Sequence, residues 1–160
     1  MDNKQQAGFS LVELLIVVAI IGIIAAIAIP NLMASRRAAN EGSAQSATRT
    51  IHSAQVTYQA TAGAGAYATD LNALRTQSLI DNVLGSGTKS GYRYEIVEQA
   101  GFNAEAVYGV YAFPVTTGGV TQTGTRVFAT THIGVMHVDT DLSAVPATIA
   151  DISGLPVLGN

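Results

Sequence analysis

One acidic residue, Glu13, stands at the start of the most apolar stretch of the chain. It lies four residues past a Gly8-Phe9 junction, and residues 14–35 follow without a single charge. A carboxylate at the entrance of a membrane span is costly unless an opposite charge pairs with it. This arrangement predicts that Glu13 serves assembly rather than catalysis.

The apolar stretch is predicted to enter a membrane despite the acid. Residues 14–29 contain eleven Leu, Ile or Val residues, which together favour insertion by about 3 to 7 kcal/mol, whereas one carboxylate costs about 3 kcal/mol at most. Residues 14–35 reach roughly 33 Å as a helix, enough to cross a hydrocarbon core of about 30 Å.

Two other interpretations of the same segment stay open from the residues alone. A secretory signal peptide would use Lys4 as its charged region, with a weak small-residue cleavage site at residues 25–28. A single-pass anchor would simply hold Glu13 at the level of the lipid headgroups. The flanking charges do not decide which end of the segment is cytoplasmic, because Lys4 precedes it and Arg36 and Arg37 follow it.

The sequence AGFSLVELLIVV, residues 7–18, resembles the class III signal of type IV pilins and of the pseudopilins of type II secretion. The resemblance implies that residues 1–8 form a cytoplasmic leader. A membrane-bound prepilin peptidase would cut between Gly8 and Phe9, and the new amine of Phe9 would then be methylated. Gly22 and Pro30 stand where this family commonly carries helix-weakening residues, and they are predicted to break or bend the first helix.

Cleavage between Gly8 and Phe9 would create a positive charge, the Phe9 amine, opposite in sign to the Glu13 carboxylate. A free amine is mostly cationic at neutral pH and a glutamate is anionic. At 4 Å and an effective dielectric of about 20, the pair gains about 4 kcal/mol, comparable with the cost of inserting the acid. The resemblance implies that Glu13 pairs with the Phe9 amine of a neighbouring subunit, while the spacing alone allows a pair within one subunit equally well.

Composition narrows the remaining functions. The 160 residues carry a net charge of -3 and no cysteine. Without a Lys/Arg stripe, no nucleic-acid partner is indicated. Many pilins close their C-terminal loop with a disulfide, so this chain must hold that region by packing, by subunit contacts or by an ion.

Beyond Pro30 the pattern remains helical up to about residue 60. Apolar residues recur at spacings of three and four and predict a face that packs on a sheet. These residues are Ala44, Ala47, Ile51, Ala54 and Tyr58. The flanking polar residues are expected on a solvated or subunit-facing side; they are Arg36, Arg37, Glu41, Gln45 and Arg49. Glycines at residues 63 and 65 end the helix.

The remaining residues, 61–160, predict a small globular domain of short elements. Asp70 is expected to cap a brief helix, and a second turn is expected around residues 79–84. Alternation and turn signals predict antiparallel strands at residues 92–96, 106–116, 126–131 and 135–138, with a turn at residues 101–103. Such a sheet needs a covering layer, which the apolar stripe of the first helix can supply.

Parts of this domain, GYRYEI at residues 91–96 and TRVF at residues 125–128 with Gly134-Val135, are similar to globular regions of pilin-like proteins from environmental bacteria. This second resemblance supports the fold.

No catalytic constellation and no cofactor site emerges. His52 lies beside the helix stripe, and His132 and His137 lie near a predicted hairpin without a third metal ligand at recognisable spacing. Acids near the C-terminus are of a type that binds calcium, but they are interpreted as turn residues. These acids are Asp139, Asp141 and Asp151.

The sequence thus predicts an α+β, type IV pilin-like subunit with a long N-terminal helix on an antiparallel sheet of three to four strands. Its parts are a leader at 1–8, a membrane and filament-core helix at 9–35, an amphipathic continuation at 36–60 and a globular domain at 61–160. The expected function is polymerisation into a type IV pilus, from the bacterial inner membrane to the cell surface. The expected partners are further copies, the prepilin peptidase and the inner-membrane assembly machinery. The major pseudopilin of type II secretion and a non-polymerising anchored binding domain are the alternatives.

Overall fold

A computed structural model describes residues 8–99 and 107–159 of the chain. The chain divides into two compact units, Met1–Ser35 and Arg36–Asn160. In chain order the helices and strands are α1 Leu11–Ala60, α2 Leu71–Thr76, α3 Asn82–Gly85, β1 Thr88–Lys89, β2 Tyr92–Gln99, β3 Val107–Pro114, β4 Val127–Thr131, β5 Met136–Asp139 and α4 Ile149–Gly154.

The part of α1 that follows Ser35 buries the predicted apolar stripe. Ala44 and Ile51 are fully buried, Ala47 and Ala54 nearly so, and Tyr58 packs against the same core while remaining partly exposed. The helix ends at Ala60, directly before the predicted glycine-rich stop. The expected helical stripe is therefore confirmed.

One prediction about this helix is wrong. Glu41 was assigned to the solvated side with the arginines, yet it is only 6% exposed. Helical spacing puts residue 41 three residues before Ala44, on the edge of the buried face, and its carboxylate finds partners there. Arg36 and Arg49 are exposed as expected, whereas Arg37 and Gln45 are partly buried.

The two short helices each begin after an aspartate cap, of which the sequence predicts Asp70; the second turn, expected around residues 79–84, is α3 and begins at Asn82. Asp70 caps α2 by accepting a hydrogen bond from the Ala73 amide at 2.7 Å. Asp81 caps α3 in the same way, with the Leu84 amide at 2.7 Å. These caps satisfy amides that helix geometry leaves without a partner.

Within the described residues, five antiparallel strands form one sheet in the order β1-β2-β3-β4-β5. Sequence analysis expected three or four, because β1 is only two residues long and carries no periodic pattern. The predicted strand at residues 92–96 extends to Gln99, and the other boundaries differ by one or two residues. The turn predicted at residues 101–103 lies outside the described residues.

The sheet is covered on both faces, which the alternating pattern did not predict. One face packs with α1, α2 and α3 around Tyr94, Val110 and Phe128. The other face packs with α4, whose Ile152 joins Tyr111 and Val127. Gly109 in β3 makes this approach possible, because a Cβ there would lie 2.5 Å from Ile152 Cδ1.

Candidate processing and assembly site

The Gly8-Phe9 junction precedes the first turn of α1. Neither residue is helical, and the Phe9 side chain is 85% exposed. A Cβ added at Gly8 would meet no atom within 4 Å. The fold of the described chain therefore places no steric demand on Gly8, and any need for glycine must come from a protein that acts on this junction.

Glu13 lies in the first turn of α1, where its carboxylate accepts a hydrogen bond from the Ser10 amide at 2.8 Å. The Ser10 hydroxyl in turn accepts a weaker bond from the Val12 amide at 3.3 Å. The side chains of Ser10 and Glu13 thus both accept hydrogen bonds from backbone amides at the start of α1 and cap the helix. Sequence analysis missed this role, although a serine followed three residues later by a glutamate is its usual signal.

This contact bears on the charge that cleavage would create. The Ser10 amide belongs to the residue that follows Phe9, so the carboxylate is bound one residue away from the Phe9 nitrogen. A negative charge is also favoured at a helix N-terminus, where amide groups point outward. A pair within one subunit and a pair with a neighbour both remain compatible with this position.

The apolar side chains that follow Glu13 are unburied. From Leu11 to Leu32, the large apolar residues keep between 51% and 76% of their surface exposed. By length and composition, α1 is able to cross a membrane. A row of exposed Leu, Ile and Val of this length requires an apolar environment from outside the chain.

Gly22 and Pro30 both lie inside α1, which continues through them without interruption. No Cβ contact would form at Gly22, so a larger side chain fits there. The expectation that Gly22 and Pro30 break or bend the first helix stays a prediction.

A buried polar cluster joins α1 to the loop that precedes β4. Glu41 accepts hydrogen bonds from the Thr125 amide at 2.8 Å and its hydroxyl at 2.7 Å, and it pairs with Arg126 at 2.7 Å. Burial alone would raise the pKa of Glu41, but the Thr125 and Arg126 interactions outweigh it and lower the pKa. Asn40 adds a bond to the Thr123 carbonyl at 2.9 Å. These contacts fix the globular unit to its own helix.

The C-terminal region is held by packing and by backbone pairing. Segment 156–158 runs along β5, where the Val138 amide donates to Pro156 O and the Leu158 amide donates to Met136 O, each at 2.8 Å. His137 adds a bond from Nδ1 to the Leu155 carbonyl at 2.8 Å. The sequence left three ways to hold this region without a disulfide: packing, subunit contacts or an ion. Packing within the chain is therefore present.

The residues weighed as metal ligands have separate partners. His137 binds the Leu155 carbonyl, whereas His132 lies near His52. Asp139 accepts from the Asp141 amide, Asp141 accepts from the Ser143 amide, and Asp151 forms a capping box with Thr148. Among residues 8–99 and 107–159, no three such side chains are grouped as a metal site.

Comparison with known proteins places the N-terminal segment in a defined class. Residues 3–29 match the model of the prokaryotic N-terminal methylation motif. This match contains the Gly8-Phe9 junction, Glu13 and most of the apolar run. The chain therefore carries the signal that its residues indicated.

The chain is also similar to curated components of pili and of a secretion system. The chain is similar to the type IV major pilin protein PilA of Myxococcus xanthus, with 43% identity over 56 residues, 35% of this chain and 26% of the relative. It is similar to the type IV wide pilus major component PilA4 of Thermus thermophilus, with 65% identity over 38 residues, 24% of this chain and 29% of the relative. It is also similar to the type II secretion system core protein G of Aeromonas hydrophila, with 39% identity over 46 residues, 29% of this chain and 32% of the relative.

The matched regions thus span about a quarter to a third of these relatives. No solved structure matches the chain.

Proposed function

We propose that this protein is a structural subunit that polymerises through its N-terminal helix into a type IV pilus. The observation that carries the proposal is the uninterrupted exposed apolar surface of α1 behind a single acid, Glu13. Such a surface is stable in a bilayer or against other copies of itself, and a filament core provides the second environment. The similarity to two pilus components supports the same function.

Processing is the first step of this proposal. The peptidase would remove residues 1–8 and leave Phe9 as a methylated N-terminus, with the apolar run retained as an anchor. Before assembly the subunit would cross the inner membrane once, with its N-terminus in the cytoplasm. Mass spectrometry of the subunit in sheared filaments should give a chain that begins at Phe9. A filament subunit that retains Met1, or one that begins beyond Ile29, would contradict the cleavage.

Glu13 would guide assembly by pairing with the Phe9 amine of a neighbouring subunit. Replacing Glu13 with Leu should favour membrane insertion by up to about 3 kcal/mol, because an acid leaves the span. The same change should remove most filaments, because an incoming amine would be buried without a partner. Membrane-bound subunit and sheared filaments are measured side by side.

Glu13→Gln is the matched control for the helix cap. A glutamine oxygen can still accept the Ser10 amide bond, but it carries no charge. If the charge pair drives assembly, Glu13→Gln should assemble as poorly as Glu13→Leu. Full filament yield with Glu13→Leu would remove the assembly role and would favour a non-polymerising anchored domain.

Extension of α1 would accompany assembly. Gly22 and Pro30 weaken a helix interior by about 1 and 3 kcal/mol respectively relative to alanine, so the segment between them is the easiest to unwind. An electron-microscopy map of the filament tests this directly. Continuous helical density from Phe9 to Ala60 would contradict it.

The similarity to core protein G supports a second function, the major pseudopilin of a type II secretion system. Both functions use the same helix chemistry, so the site does not separate them. Deleting the gene and measuring surface pili and secreted proteins in parallel distinguishes them. Loss of pili with normal secretion supports the pilin, and the reverse supports the pseudopilin.

A further inference from the structure

His52 on α1 is tied to the sheet by a hydrogen bond to Tyr108 of β3. The Tyr108 hydroxyl lies 2.6 Å from His52 Nδ1 and 3.4 Å from the His52 carbonyl oxygen. Tyr108 is fully buried, and its ring packs edge-on against Tyr67 at 4.5 Å between centroids. The imidazole is therefore held on one side by a desolvated phenol.

The turn between β4 and β5 lies against the other side of the same ring. The His132 amide donates to Tyr108 O at 3.0 Å, and the Gly134 amide donates to Thr131 O at 2.9 Å. A Cβ added at Gly134 would lie 2.9 Å from His52 Nε2. The glycine also has a φ of +84°, a conformation that larger residues rarely adopt. The turn is thus shaped to fit onto His52.

His132 brings a second imidazole to this contact. Its Nδ1 is buried and has no hydrogen-bond partner among the described residues. An unmatched polar atom in such a desolvated position costs free energy, so this face of His132 depends on close packing of the turn.

Among the described residues, the titratable groups in contact with or near His52 are Tyr108 from β3 and His132 from the turn, and Arg49 lies three residues earlier on α1 with an exposed side chain. Burial lowers the pKa of His52, the nearby His132 lowers it further, and the Thr131 backbone opposes these effects in part. A proton on His52 would thus place a cation in a partly desolvated position against the turn.

We propose that His52, Tyr108 and His132 form an acid-sensitive latch that fastens the β4–β5 turn to α1 and loosens when His52 is protonated. The stabilisation is present above the unfolded pKa of histidine, about 6.5, and it is lost as pH falls through the lowered folded pKa of His52. Mild acid would then free the turn, which carries the exposed side chain of Ile133.

Hydrogen exchange of the full-length chain in detergent micelles tests the latch. Amides of residues 131–136 should exchange several-fold faster at pH 5.5 than at pH 7.5, after correction for intrinsic rates, because a proton on His52 weakens the contact that holds the turn. His52→Gln, which cannot be protonated, should remove most of this acceleration. His137→Gln is the matched control, and it should keep the acceleration of the wild type.

Histidine NMR of the wild type provides a measurement that needs no variant. His52 should titrate below 6.5, and the resonances of residues 131–134 should shift in step with it. Titration of His52 at or above 6.5 would overturn the latch. Unchanged acceleration in His52→Gln, or its loss in His137→Gln, would do the same.

Discussion

The two units of this chain differ in whether they bury apolar side chains of the same type. Ile27 in the first unit keeps 65% of its surface exposed, whereas Ile51, on the same helix but in the second unit, is fully buried. The second unit also buries a charged residue, Glu41, which is bound by Thr125 and Arg126. The stability of the second unit thus comes from its own contacts, while the first unit has a surface that only a membrane or other subunits can cover.

The largest expected effect concerns the Gly8-Phe9 junction, which lies in the first unit just before α1. Gly8→Leu should leave the chain uncleaved in the membrane and abolish filaments, while the thermal unfolding of residues 36–160 stays unchanged. The unfolding should stay unchanged because a Cβ at residue 8 would meet no atom of the described chain within 4 Å. Immunoblotting for the size of the subunit and thermal denaturation measure the two properties.

Gly118→Leu is the control for this variant, because Gly118 also has open space around its Cβ. It should be processed normally. If Gly8→Leu is cleaved as well as Gly118→Leu, the proposed processing site is wrong.

The next effect contrasts the two isoleucines directly. Ile51→Ala should lower the free energy of unfolding of the globular unit by about 2 to 5 kcal/mol, because it removes a buried side chain from the core. Ile27→Ala should leave that free energy unchanged. Chemical denaturation in detergent measures both, and equal losses would show that the first unit contributes to the stability of the second.

The smallest effect concerns the buried acid. Glu41→Gln should lower the free energy of unfolding by about 1 to 3 kcal/mol at pH 7, because Arg126 loses its charged partner. The pKa of Glu41 is lowered in the fold, so its contribution is present above about pH 4.3 and is lost as pH falls through the folded value. The difference between wild type and variant should therefore shrink below pH 4.

Glu95→Gln is the control, since Glu95 pairs with Arg93 at the surface with about half of its side chain exposed, and a glutamine keeps an oxygen that can accept the hydrogen bond from the Tyr111 hydroxyl. Such pairs contribute little. A loss in Glu95→Gln equal to that in Glu41→Gln would show that burial of the Glu41 pair is unimportant.

Sequence patterns predicted much of this architecture because they depend on local chemistry. The spacing of Ala44 and Ile51 predicted the buried helix face, and Asp70 predicted the start of α2. By contrast, β1 and α4 were missed because each is too short to show a period. The prediction for Glu41 is wrong because a helical pattern gives only its angular position on α1. The pattern does not show that a distant loop brings Thr125 and Arg126 against its carboxylate.

The candidate site divides along the same line. The linear order of Gly8, Phe9, Glu13 and the uncharged run is enough to identify the methylation motif, because that motif is a single run of contiguous residues. Tertiary structure alone decided that His132 lies near His52 rather than sharing a site with His137, and that segment 156–158 pairs with β5. The reason is that these contacts join groups whose meeting depends on how the backbone is folded, which no local spacing specifies.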